Sequence, residues 1–119
     1  MSTFRYSPSS VVMDGKLYVA GGYDPLSHKF LSTVEVFDDI SQRWYKLPAM
    51  RQGRAGLGLT AVGGKLYAVG GWRDHKYLRS VEMYDPLGSG WTEVAPMLVV
   101  WNILFSNHII FYGPYTSMK

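Results

Sequence analysis

The sequence predicts an all-β chain built from two copies of one four-stranded antiparallel unit. First, Gly15-Lys16-Leu17-Tyr18-Val19-Ala20-Gly21-Gly22 returns as Gly64-Lys65-Leu66-Tyr67-Ala68-Val69-Gly70-Gly71, a shift of 49 residues, within the range of stacked structural repeats. Second, the flanking features return in order: Arg5 and Arg54 before the stretch, Val34-Glu35-Val36-Phe37-Asp38 and Val81-Glu82-Met83-Tyr84-Asp85 after it, then Trp44 and Trp91, then Met50 and Met97. The later features recur at 47, because the loop after the first Gly pair is two residues longer. Third, neither copy has helical periodicity, and 13 Gly with 15% aromatic residues fit short strands joined by tight turns.

Taken in order, residues 7–13 are small or β-branched, as in a strand buried on both faces. Asp14-Gly15 separates two apolar runs and signals a two-residue hairpin, where both turn positions favour φ > 0. Gly63-Gly64 takes that place in the second copy. Residues 16–20 form the returning strand. Gly21-Gly22 ends it, and glycine there implies close approach of another backbone. Residues 23–30 form a polar loop holding the turn pair Asp24-Pro25. Residues 31–37 form a third strand, with Val34 and Val36 on one face and Glu35 and Phe37 on the other. A turn at 38–41 leads to a fourth strand at 43–47 carrying Trp44, and Pro48-Ala49-Met50 closes the unit. The second unit repeats this order as far as Met97.

Such a sheet has two apolar faces and must stack on another to cover them. Trp44 and Trp91 would each contribute about 2–3 kcal/mol on full burial, which only a neighbouring unit can provide. Radial stacking of four-stranded sheets of about 50 residues makes a β-propeller.

The Gly21-Gly22 and Gly70-Gly71 pairs, the Phe37-Asp38 and Tyr84-Asp85 pairs, and Trp44 and Trp91 together resemble the kelch repeat. The resemblance covers residues 5–97 and is similar above all to kelch-like proteins. It implies two kelch blades of a partial β-propeller (residues 1–50 and 51–97), followed by an irregular apolar tail at 98–119. It also implies that Gly21, Gly22, Trp44, Gly70, Gly71 and Trp91 are structural. Kelch-like proteins typically join a BTB domain to a six-bladed propeller and recruit substrates to cullin-RING ubiquitin ligases. The expected function is therefore protein–protein interaction, as the substrate-recognition part of such a ubiquitin ligase adaptor. No BTB region is present in this sequence. The alternatives are an actin-binding or scaffolding kelch protein, and a truncated fragment without function of its own.

In kelch-like propellers, residues just after the Gly pair and in the loop before each blade's first strand face the partner. The first location holds Tyr23, Trp72, Arg73 and His75; the second holds Arg5, Arg51 and Arg54. The partner-binding candidates are Tyr23, Arg51, Arg54, Trp72, Arg73 and His75. An aromatic beside Arg combines flat apolar area with bidentate carboxylate binding. Basic loops (Arg51, Arg54, Arg73, Lys76) point to an acidic protein or peptide as partner. The competing structural reading has Tyr23 and Trp72 capping blade packing and Arg54 binding a neighbouring blade's carbonyls.

Other chemistry is disfavoured. The Gly pairs lack the Gly-x-Gly-x-x-Gly spacing and the lysine of phosphate-binding loops. Asp38 and Asp85 occupy equivalent turn positions, where Asp bonds its own backbone. His28, His75 and His108 have no ligand spacing, and there is no Cys, so no metal, cofactor or enzymatic step is expected. The net charge of +3 is scattered, unlike the clustered stripe of nucleic-acid binders. The N-terminus lacks a secretory signal pattern, so a cytoplasmic protein is expected. After Met97 the pattern breaks: no third Gly pair follows, and the tail runs through Trp101, Phe105, Ile109 and Phe111. Polar residues 102 and 106–108 interrupt it, so membrane insertion is not expected. Two units are fewer than a closed propeller's roughly four to eight. Further kelch blades or self-association would supply the missing neighbours, and the tail is expected either to add irregular strands to the second unit's edge or to stay poorly ordered.

Overall fold

The computed structural model describes residues 4–95; the tail at 98–119 and Met97 lie outside the described residues. Among those, the fold is all-β, with two four-stranded antiparallel sheets and two short hairpins. The strands are β1 (Ser9–Met13), β2 (Lys16–Ala20), β3 (Tyr23–Asp24), β4 (Lys29–Phe30), β5 (Val34–Asp38) and β6 (Arg43–Leu47). The second unit supplies β7 (Gly58–Val62), β8 (Lys65–Val69), β9 (Trp72–Arg73), β10 (Lys76–Tyr77), β11 (Val81–Tyr84) and β12 (Trp91–Glu93). The sheets run β1-β2-β5-β6 and β7-β8-β11-β12. Each is a meander in chain order, with the β3–β4 or β9–β10 hairpin carried out of the sheet between its second and third strands.

The β1–β2 turn is Asp14-Gly15, with φ of 52° and 74°. The β7–β8 turn is Gly63-Gly64, with φ of 57° and 76°. These left-handed pairs match the twist of the flanking strands. Asp38 and Asp85 act locally at the turns after β5 and β11. Asp38 Oδ1 accepts from Ile40 N at 3.2 Å and Asp38 Oδ2 from Ser41 Oγ at 3.0 Å; Asp85 Oδ1 accepts from Leu87 N at 3.0 Å.

The sheets stack face to face. The first contributes Met13, Tyr18, Ala20, Val34 and Val36 to a shared core; the second contributes Leu59, Leu66, Ala68, Tyr84 and Trp91. Alternation along each strand puts these residues on one face. Trp91 completes the joint: its Nε1–H donates to Pro48 O of the first unit at 2.9 Å.

Several expectations need correction. The segment at 7–13 is not buried on both faces: β1 starts at Ser9, and Val12 is 64% exposed, because only the Val11/Met13 side meets the second sheet. The third strand starts at Val34 rather than Leu31, since Leu31 and Ser32 give their carbonyls to Arg54 N and Met50 N instead of a strand partner. The loop at 23–30 holds the hairpin β3–β4, with an equivalent in β9–β10. The two tryptophans are not alike. Trp91 is buried between units, whereas Trp44 is half-buried, its ring tilted against Phe37 at 5.1 Å.

Candidate partner-binding surface

The surface is built on the repeated arginine. Residue 6 pairs with residue 23, and residue 55 with residue 72, as isolated antiparallel bridges. The segment before each first strand thus runs beside the residue after each Gly pair. That register carries the preceding arginine inward. Arg5 Nη1 donates to Gly21 O at 2.7 Å and Thr33 O at 2.9 Å, and Nη2 reaches Glu35 Oε2 at 3.2 Å. Arg54 does the same one repeat later. Its Nη1 donates to Gly70 O at 2.9 Å and Ser80 O at 2.8 Å, and its Nη2 to Glu82 Oε2 at 3.0 Å. Both guanidinium groups are enclosed, and carbonyls and a carboxylate offset their cost of burial; Arg54 bonds through Nε, Nη1 and Nη2, whereas the buried Arg5 Nε has no hydrogen-bond partner.

Arg54 is 0% exposed, so it cannot touch a partner, and the expectation for it is corrected. The carbonyls it binds belong to its own unit rather than a neighbouring one. Arg5 is likewise buried. The Gly pairs explain the close fit. Gly21 and Gly22 have φ of 70° and 110°, and Gly70 and Gly71 of 63° and 96°. A methyl on Gly21 would overlap Arg54 O, and one on Gly71 would lie 2.8 Å from Ala55 O.

Above this buried layer the two hairpins carry the exposed chemistry. Tyr23 pairs with Phe30 across β3–β4, and Trp72 with Tyr77 across β9–β10. Directly opposed residues project to the same side. Tyr23 and Phe30 rings lie 4.9 Å apart, and Phe30 meets Trp72 edge-on at 5.1 Å, joining one hairpin to the other. The outcome is one aromatic row, Tyr23–Phe30–Trp72–Tyr77, crossing both units. Trp72 is 37% and Tyr77 69% exposed. A cleft of about 450 Å³ is lined by Gly56, Trp72, His75, Lys76 and Tyr77. A second, between the hairpins, is lined by His28, Lys29, Phe30, Arg73 and Asp74.

Cations flank the row at matched positions: His28-Lys29 leads to Phe30, and His75-Lys76 to Tyr77. Both histidines sit at hairpin tips with φ of 58° and 66°. The acidic groups nearby are engaged. Asp24 accepts from Ser27 Oγ and Leu26 N, each at 2.9 Å, and those bonds hold its carboxyl below the usual range. Asp74 pairs with Arg73 Nε at 3.3 Å in an exposed contact. Tyr23 Oη lies 3.3 Å from His28 Nδ1.

Of the expected residues, Tyr23, Trp72, Arg73 and His75 come together here. Arg51 does not join them: its side chain is exposed on the segment linking the units, and its backbone N–H donates to Glu82 at 2.5 Å. The sequence reading missed Lys29, Phe30 and Tyr77, and counted Lys76 only among the basic loop residues. Their signal was the repeated His-Lys-aromatic triplet. Among the described residues, no group of three or more His, Asp or Glu could hold a metal ion, and no helix is long and apolar enough to cross a membrane.

Comparison with known proteins decides the family, since the kelch motif matches residues 5–51 and 53–98. The chain belongs to the kelch repeat family. Kelch relatives include the mouse (Mus musculus) influenza virus NS1A-binding protein homolog, 38% identical over 63% of this chain and 12% of that protein. Kelch repeat and BTB domain-containing protein 8 of Xenopus tropicalis is 39% identical over 51% of this chain and 11% of its own length. Mouse kelch-like protein 42 is 34% identical over 51% and 12% respectively. The chain thus spans about an eighth of the curated kelch relatives it matches.

Proposed function

We propose that this chain binds an acidic, extended segment of a protein partner along the Tyr23–Phe30–Trp72–Tyr77 row. The observation that carries the reading is the row itself: four aromatic rings in register, bordered by Lys29, Arg73, His75 and Lys76, with the nearby carboxylates already bonded. Rigid aromatic area beside a guanidinium is the composition of interface hot spots. Kelch repeats are protein-interaction modules, and no catalytic step is assigned to this one. Relatives that also carry a BTB domain support a role as the recognition part of a cullin-RING ubiquitin ligase adaptor.

The test is fluorescence anisotropy with labelled peptides rich in Asp and Glu and holding one aromatic residue, against a Lys-rich control. Acidic peptides should bind, and Trp72→Ala or Arg73→Glu should weaken them about tenfold or more, the effect of losing a hot-spot side chain. Equal binding of acidic and basic peptides, or no effect of either substitution, would overturn the reading.

A further inference from the structure

The two hairpins differ in charge at one matched position. In β3–β4, Asp24 stands directly opposite Lys29; in β9–β10, Arg73 takes the place of Asp24 and stands directly opposite Lys76. Directly opposed side chains project to the same side, where like charges repel. A two-stranded ribbon of two residues a strand has little to offset that cost. Among the described residues, the ion pair of Arg73 is with Asp74, through Nε at 3.3 Å, so both Nη groups stay unpaired. Lys29 and Lys76 join no ion pair among those residues. Asp24, although opposite Lys29, gives its carboxylate to Leu26 N and Ser27 Oγ.

Arg73 and Lys29 line one cleft. It lies between the hairpins, has a volume of about 240 Å³, and is bounded by His28, Lys29 and Phe30 of the first and by Arg73 and Asp74 of the second. His28 Nδ1 lies 3.3 Å from Tyr23 Oη; when Tyr23 donates, the ring proton sits on Nε2 and supplies a further donor. Lys29, Arg73 and Lys76 are three cations facing the one carboxylate of Asp74, an excess of two positive charges. An Asp or Glu of a partner brings one negative charge and two oxygens, which the Arg73 fork alone would occupy. A phosphoryl group brings about −1.5 to −2 charges and three acceptor oxygens, enough for the fork and Lys29 together.

We infer that this cleft binds a phosphorylated side chain of the partner segment, with Arg73 Nη1 and Nη2 on two phosphate oxygens and Lys29 Nζ on the third. Phe30 belongs both to the cleft wall and to the aromatic row, so the phosphorylated residue sits beside the residue that packs on the row. Lys76, across the ribbon from Arg73, strengthens the positive field, and the anion relieves the repulsion between the two. The inference rests on the row as docking track and adds the class of segment it selects.

The experiment uses the full chain and one acidic peptide holding an aromatic residue, with the neighbouring position made as serine, aspartate or phosphoserine. In fluorescence anisotropy the phosphoserine peptide should bind about tenfold tighter than the serine peptide, the scale of an added charged hydrogen bond, and tighter than the aspartate peptide. Lys29→Gln and Arg73→Gln should each reduce that ratio to about threefold or less. Lys46→Gln, which removes the same charge from exposed β6, should leave it unchanged. Inorganic phosphate alone, followed by amide chemical shifts, should saturate at His28, Lys29 and Arg73. Equal binding of the phosphoserine and serine peptides, or a ratio that Lys46→Gln lowers as much as Lys29→Gln does, would overturn the inference while the row remains a docking track. Failure of every peptide to bind would overturn both.

Discussion

Glu82 Oε2 lies 3.0 Å from Arg54 Nη2, and neither side chain has any exposed surface. The same carboxylate accepts from Arg51 N at 2.5 Å and Gln52 N at 3.1 Å. Meanwhile the backbone of this segment serves the first unit: Arg54 N donates to Leu31 O at 3.0 Å, and Arg54 O accepts from Gly22 N at 2.6 Å. Arg54 thus holds the second unit by its side chain and the first by its backbone. The ion pair fixes the one covalent crossing between the sheets.

Removing one partner leaves the other charge buried. Arg54→Ala and Glu82→Ala should each cost about 3–5 kcal/mol, the usual loss on breaking a buried pair. The double substitution should cost clearly less than the sum. Urea unfolding followed by circular dichroism checks both values. Additive losses would show that the pair is not coupled.

Two glycines with similar φ should respond differently to alanine. Gly15 (φ 74°) faces open space, so Gly15→Ala should cost only the left-handed penalty of about 1–2 kcal/mol. Gly21 (φ 70°) faces Arg54 O and has Leu57 Cδ2 2.9 Å from an added methyl. Gly21→Ala should therefore destabilise more, in the same unfolding assay.

The tryptophans offer a further comparison. Trp91→Ala should cost about 3–5 kcal/mol as a large-to-small core change, and Trp44→Ala less, because Trp44 is half-buried. Trp91→Phe isolates the bond to Pro48 O, and about 0.5–1.5 kcal/mol is expected beyond the loss of ring area.

The first hairpin should loosen in acid. The bonds from Ser27 and Leu26 lower the Asp24 pKa in the folded state, so their contribution is complete above the ordinary carboxylate value and fades as pH falls through the lowered one. Amide exchange of Leu26, Ser27 and His28 should accelerate, relative to its intrinsic rate, below about pH 4. Asp24→Asn should remove that pH dependence.

The two units, their strand order and the β1–β2 and β7–β8 turns were legible because each rests on a local signal: alternation, a left-handed turn pair, a repeated Gly pair. The Arg5–Glu35 and Arg54–Glu82 pairs were not read, although all four residues recur in step. Charged residues are ordinarily solvated, and only the tertiary register shows that these point inward. Half of the aromatic row was legible, because Tyr23 and Trp72 follow a motif. Phe30 and Tyr77 come from the returning arms of two-residue hairpins, too short to display a strand period. Trp44 and Trp91 look alike in sequence and differ in burial, because one has a neighbouring unit on its face and the other has none among the described residues.

The most direct test of the partner surface is amide and aromatic chemical-shift mapping of the full chain, titrated with an acidic peptide that carries one aromatic residue. Perturbations should gather on Tyr23, Phe30, Trp72, Arg73, His75 and Tyr77, leaving Asp14, Gly15, Gly63 and Gly64, at the opposite ends of β2 and β8, unmoved. Shifts centred on those turns, or on the Val12 and Trp44 face, with the aromatic row silent, would contradict the account.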